Sequence, residues 1–215
     1  MAFLDSDISP DSILLIVARH GSTVLNARNA FRGSSNPPLD EQGTEDANNL
    51  ADLLENVEIS HIVTSDRARA RQTADIIGKR KHQPVHSTEN LRALDVGNLS
   101  GQKRTKANID LLQRYLDNPD ELIPGGESLN DFKARIQPCL SEAADVAIES
   151  GAPVLLIAHS SIVHEVGAWL TGDHSSVLVK PGGVAVMYVN DRGQPAAAPV
   201  YRVDHERIRS AETLS

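Results

Sequence analysis

Ile13-Leu14-Leu15-Ile16-Val17-Ala18 is an unbroken apolar run that stops at Arg19-His20-Gly21-Ser22-Thr23. A short apolar run without polar alternation reads as a strand buried on both faces, the situation found in parallel sheets covered by helices. Polar and cationic residues followed by glycine at the strand's C-terminal end stand where open α/β sheets collect ligands.

The same alternation continues outward. Asp40 to Glu55 has apolar residues at helical spacing (Ala47, Leu50, Ala51, Leu54), and Ser60 to Thr64 reads as a short strand. Ser65 is expected to cap a helix running to about Ile77, with Asp66 in its first turn. Leu111 to Leu116 and Leu129 to Ile148 read as helices, Pro153 to Ala158 as a buried strand, and Ile162 to Leu170 as a helix. Val184 to Val189 reads as a last core strand, paired with Val200 to Val203. This order predicts an α/β fold: one domain, a mostly parallel sheet with helices on both faces. The domain is expected over residues 12–205, between a loose leader at 1–11 and a tail at 206–215. The irregular stretches Leu91 to Arg104 and Asn118 to Ser128 are placed at the rim of a site.

Composition narrows the function classes. Aromatics are 3% of 215 residues, so aliphatic side chains and alanine must fill the core. A net charge of −8 argues against nucleic-acid or anionic-membrane partners, so an anionic ligand would need a local cluster of cations. The single cysteine, Cys139, excludes an internal disulfide, and no zinc-type Cys/His spacing occurs. Without a signal-like or membrane-length apolar segment, the expected location is the cytoplasm.

Two strand ends share one pattern: Val17-Ala18-Arg19-His20-Gly21 and Ile157-Ala158-His159-Ser160-Ser161. If both strands lie in one parallel sheet, the two histidines emerge on the same edge. A lone histidine there more often satisfies a backbone group, but a matched pair beside an arginine favours chemistry. Arginines near a metal would repel it, whereas guanidinium groups bind phosphate through paired hydrogen bonds. No metal site and no cofactor is expected. Arg67, Arg69 and Arg71 alternate along one helix, so Arg67 and Arg71 point to one side and Arg69 to the other. One inward arginine is expected, with the others on a solvated face. A serine hydrolase is disfavoured, because Ser160 and Ser161 lack a Gly-x-Ser-x-Gly elbow.

Arg19-His20-Gly21 with Asn26 and Phe31-Arg32-Gly33 resembles the opening signature of the histidine phosphatase (phosphoglycerate mutase-like) superfamily. The likeness continues through Pro38 to Gly43, Thr64-Ser65 with Arg69-Ala70, Gly97 with Ser100-Gly101, Pro124 to Ser128 with Arg135, and Ala158-His159-Ser160. The resemblance implies a three-layer sandwich and a metal-independent phosphomonoesterase acting on a small phosphorylated substrate. It makes His20 the nucleophile that becomes phosphohistidine, with Arg19, Arg69 and a protonated His159 on the phosphoryl oxygens. Asn26, Arg32, Gly33 and Ser160 take substrate or phosphate contacts. Ser22 and Ser161 depart from the family pattern, and Ala93 stands where relatives place the glutamate that protonates the leaving group. Asp95, two residues on, is the expected substitute acid, with Glu127 in reserve; as a turn cap or a partner of Arg92 it would have no such role. An acid-deficient phospho-ligand-binding domain is the alternative, and a phosphoglycerate-type mutase a weaker one. Monomer and homodimer are equally compatible with the sequence.

Overall fold

In chain order the elements are β1 (Ile13–Arg19), α1 (Val24–Ala27), α2 (Glu41–Leu53), β2 (His61–Ser65), α3 (Ala68–Lys81), β3 (Val85–Thr88), α4 (Lys106–Leu116), α5 (Leu129–Ser150), β4 (Val154–Ala158), α6 (Ser160–Thr171), β5 (Val184–Val189) and β6 (Pro195–Tyr201). They come from a computed structural model that describes residues 12–171, 183–189 and 195–201. The sheet order is β3-β2-β4-β1-β5-β6. β3, β2, β4 and β1 pair in parallel, and β5 is antiparallel to β1.

Alternation along β1 feeds two cores. Leu15 and Val17 pack with α5 residues Phe132, Ile136 and Leu140 on one face, while Ile16 and Ala18 pack with Leu50 of α2 and Ile77 of α3 on the other. β4 does the same, with Leu156 on the first face and Leu155 and Ile157 on the second. All are fully buried or nearly so. At roughly 1.5–3 kcal/mol for each fully buried large aliphatic side chain, these two strands anchor the fold. The expected single α/β domain with a mostly parallel, doubly covered sheet is the one observed.

Four details differ from expectation. Ser65 does not cap α3: the helix starts at Ala68, with Arg67 in the N-cap position in an extended conformation. Asp66 therefore precedes the helix, and its carboxylate accepts from Arg92 Nε at 2.9 and 3.1 Å. α4 begins five residues before the expected Leu111, because Thr105 caps it by accepting from Asn108 N. The short strand β3, edge-paired to β2, carries no periodic apolar signal, and the partner of β5 starts earlier than expected: it is Pro195–Tyr201, which includes Val200 and Tyr201, while residues 202 and 203 lie outside the described residues. The expected leader at 1–11 and tail at 206–215 lie outside the described residues.

Candidate active site

β1 and β4 run side by side with Arg19 opposite Ala158, so the next residue of each is a histidine. The amide of His20 donates to Ala158 O at 3.0 Å, and the two rings meet edge to face with centroids 5.1 Å apart. Adjacent parallel strands thus deliver His20 and His159 to one sheet edge. Neither is accessible: His20 is 0% and His159 1% exposed.

Arg69 joins them. It lies on the inward side of α3 and is 0% exposed. Its Nε donates to His20 Nε2 at 3.1 Å, Nη2 lies 3.3 Å from His159 Nδ1, and Nη1 donates to Ser35 O at 3.0 Å. These contacts all go to neutral acceptors, so the charge of Arg69 remains uncompensated by them. The network also assigns the tautomers. His20 Nδ1 lies 2.6 Å from Gly21 O, which can only accept, so the proton is on Nδ1 and Nε2 carries a lone pair. His159 Nε2 faces Ser65 Oγ at 3.0 Å, so that hydroxyl, expected as a helix cap, orients the second histidine.

The electrostatics are those of a site built for an anion. Burial, then His159 and the arginines, holds His20 well below its ordinary value of 6.5. Burial and Arg69, Arg32 and Arg19 do the same to His159. The expectation of a protonated His159 is therefore corrected: burial and the neighbouring cations oppose its charge and favour the neutral ring. Arg19 and Arg69 are each lowered to about 9, chiefly by burial, and Arg32 to about 10, by burial and Arg104. All three remain cationic at neutral pH.

Backbone packing fixes the loop after β1. A Cβ on Gly21 would sit 2.2 Å from Gly43 O, so this glycine permits contact with the first turn of α2. Gly21 N donates to Thr73 Oγ1 at 3.1 Å, and Ser22 N to Asp46 Oδ2 at 2.9 Å. Thr73 belongs with Ala74 to the block of family likeness around Arg69-Ala70, whereas Asp46 carries no motif signal of its own and is legible only once α2 is placed. Asn26 sits in α1 with Oδ1 accepting from Thr23 N and Oγ1, which turns its amide NH₂ away from that cap. Ser160 opens α6 directly after His159, half-buried.

Asp95 belongs to a neighbouring cleft of about 260 Å³, lined by Gly33, Arg67, Ala93, Asp95 and Glu127 among others. Asp95 Oδ1 accepts from Gly97 N at 3.0 Å, so Asp95 does cap a turn. It does not pair with Arg92, which is held by Asp66 and Glu89. Glu127 is tied to Arg135 Nη2 at 2.7 Å and to Asp95 N at 2.9 Å. Ser161 Oγ accepts from Leu94 N at 3.1 Å, fastening this loop beside His159. Arg71 is exposed, as expected, and pairs with Asp75, but Arg67 is not on the solvated face: as the N-cap of α3 it lines the cleft. Among the described residues no group of three or more His, Cys, Asp or Glu is placed to hold a metal, and no helix is long and apolar enough to cross a membrane.

The model of the histidine phosphatase superfamily, branch 1, matches residues 15–184. The chain belongs to this superfamily. Over 152 residues it is 34% identical to a Klebsiella pneumoniae protein named probable phosphoglycerate mutase GpmB, covering 66% of this chain and 67% of the relative. A mycobacterial glucosyl-3-phosphoglycerate phosphatase in complex with VO3 superposes with a TM-score of 0.72 at 25% identity, covering 89% and 99% of the two chains. Phosphoglycerate mutase from Bacillus anthracis shares the fold, with a TM-score of 0.75 at 23% identity over 94% and 99%. Superfamily membership thus supports an enzyme of phosphoryl transfer, common to phosphatases and mutases.

Proposed function

We propose that the protein is a metal-independent phosphomonoesterase that works through a phosphohistidine on His20. The carrying observation is the buried guanidinium of Arg69 bridging His20 Nε2 and His159 Nδ1, with His20 Nδ1–H donating to Gly21 O. Phosphoryl transfer spreads charge over equatorial oxygens and needs little beyond positioning and electrostatic stabilisation. On this reading the Nε–H of Arg69, which now occupies the nucleophile's lone pair, passes to a phosphoryl oxygen when substrate enters. His20 Nε2 is thereby freed for in-line attack, the P–N bond forms and the ester P–O bond breaks. Water then cleaves P–N and releases inorganic phosphate. Arg19 and Arg69 carry the phosphoryl charge, and a bound dianion would raise His159 back toward protonation. Arg32, Asn26, Gly33 and Ser160 are proposed as further contacts for substrate or phosphate.

Asp95 is proposed as the general acid. It lines the same cleft as Ala93, and its Oδ2 has no hydrogen-bond partner among the described residues. Glu127 is less suited, because both of its carboxylate oxygens are already engaged, Oε1 by Arg135 and by Asp95 N and Oε2 by Arg135. The second reading, an acid-deficient domain that binds a phosphorylated ligand, is favoured by the same Ala93. Initial rates with p-nitrophenyl phosphate and a panel of alkyl phosphates, in EDTA, separate the two. Turnover of both classes is expected. Turnover of neither, with tight ligand binding, would favour the binding domain.

A further inference from the structure

The cleft beside the histidine pair carries three arginines, and two are already neutralised. Arg92 is bound by Asp66 and Glu89, and Arg135 by Glu127 and by the carbonyls of Asn90 and Arg92. Arg67 is different. Its side chain has no hydrogen-bond or ion-pair partner among the described residues, although it is half-buried and lines the same cleft. It stands two residues before Arg69, close enough that its charge lowers both Arg69 and His159.

The cleft and the phosphoryl site share walls. Gly33 and Ser34 line the cleft while Ser35 O holds Arg69, and Ala93 lines it one residue before Leu94 is fastened to Ser161. A phosphoryl group on His20 and Arg69 would therefore direct its alcohol portion into this space. Among the described residues that line it, Asp95, the proposed acid, keeps one carboxylate oxygen unpaired, and the one unpaired cation is Arg67.

We propose that Arg67 anchors a second anionic group on the alcohol side, so that the preferred substrates are phosphate esters whose alcohol bears its own carboxylate or phosphate. This rests on the phosphatase reading for its placement of the reacting phosphate. An unpaired, partly desolvated guanidinium gains most from an anion it can bind through two hydrogen bonds.

The test uses the purified protein and a matched three-carbon series: glycerol 3-phosphate, 3-phosphoglycerate and glycerol 1,3-bisphosphate. Wild type is expected to show a kcat/KM at least about tenfold higher for one or both of the doubly anionic esters, the order expected of one charge-assisted contact. Which of them is preferred tells carboxylate from phosphate. Arg67→Leu should abolish that preference, Arg67→Lys should retain part of it, and Arg71→Leu should leave it intact. Equal rates for all three, or a preference that survives Arg67→Leu, overturns the proposal while the phosphatase reading stands. If none is turned over, the series is repeated as binding by titration calorimetry. An Arg67-dependent preference there keeps the subsite and sinks the phosphatase, whereas its absence, or no binding at all, overturns the subsite.

Discussion

Arg69 shows how one buried side chain can organise a reaction. Removing it leaves both histidines without their common donor and the phosphoryl charge without a preorganised guanidinium. Loss of one such donor typically costs about 10² to 10³ in kcat, so Arg69→Ala is expected to fall in that range in steady-state assays. Arg71→Ala, whose side chain is exposed and paired with Asp75, should stay within twofold, roughly the scatter of an uncoupled surface change. Comparable losses in both variants would contradict the inward and outward assignment. Proton donation contributes about 10² to 10⁴-fold where the leaving group is poor. Asp95→Asn should therefore depress alkyl phosphate hydrolysis by that order and p-nitrophenyl phosphate hydrolysis far less. An equal effect on both esters would give Asp95 a turn-capping role only, through Gly97 N. The inward arginine, the paired histidines and the missing glutamate at Ala93 are all legible in the sequence. Ser65 and Arg67 are not, because a serine before a helix has the same composition whether it caps that helix or turns back toward a histidine.

The strands that carry the histidines were legible for a simple reason: a strand buried on both faces has no room for polar residues, so β1 and β4 stand out as apolar runs. Edge strand β3 packs little, and its sequence Val-His-Ser-Thr carries no such constraint. The loops at 95–97 and 124–126 are held backbone to backbone, where a Cβ on Gly97 would approach Pro124 O to 2.2 Å. Such contacts are invisible until the fold is known. Leu156 is fully buried in the core shared with α5, and Leu156→Ala should cost about 2–5 kcal/mol, read as a lower urea midpoint with unchanged slope. A loss under 1 kcal/mol, measured the same way, would mean that β4 is not packed on both faces.

At the scale of the molecule, a chain of net charge −8 concentrates Arg19, Arg32 and Arg69 around two buried neutral histidines. The unfolded chain protonates these histidines near 6.5, whereas the folded chain resists protonation to well below that value. The unfolded state therefore binds more protons, and stability is full above pH 6.5 and falls as pH drops below it. The slope should approach about 1.4 kcal/mol per pH unit for each histidine. Urea midpoints at pH 7.5, 6.5 and 5.5 check this, and a flat profile would contradict the burial of two neutral rings. The most direct test of the account is chemical. Wild-type protein is mixed with ³²P-labelled substrate in EDTA, quenched in milliseconds, and the labelled peptide mapped. The account predicts an acid-labile, base-stable phosphoryl group on His20, absent in a folded His20→Ala variant that has lost turnover. Label on any other residue, or turnover that EDTA removes and a divalent metal restores, would contradict it.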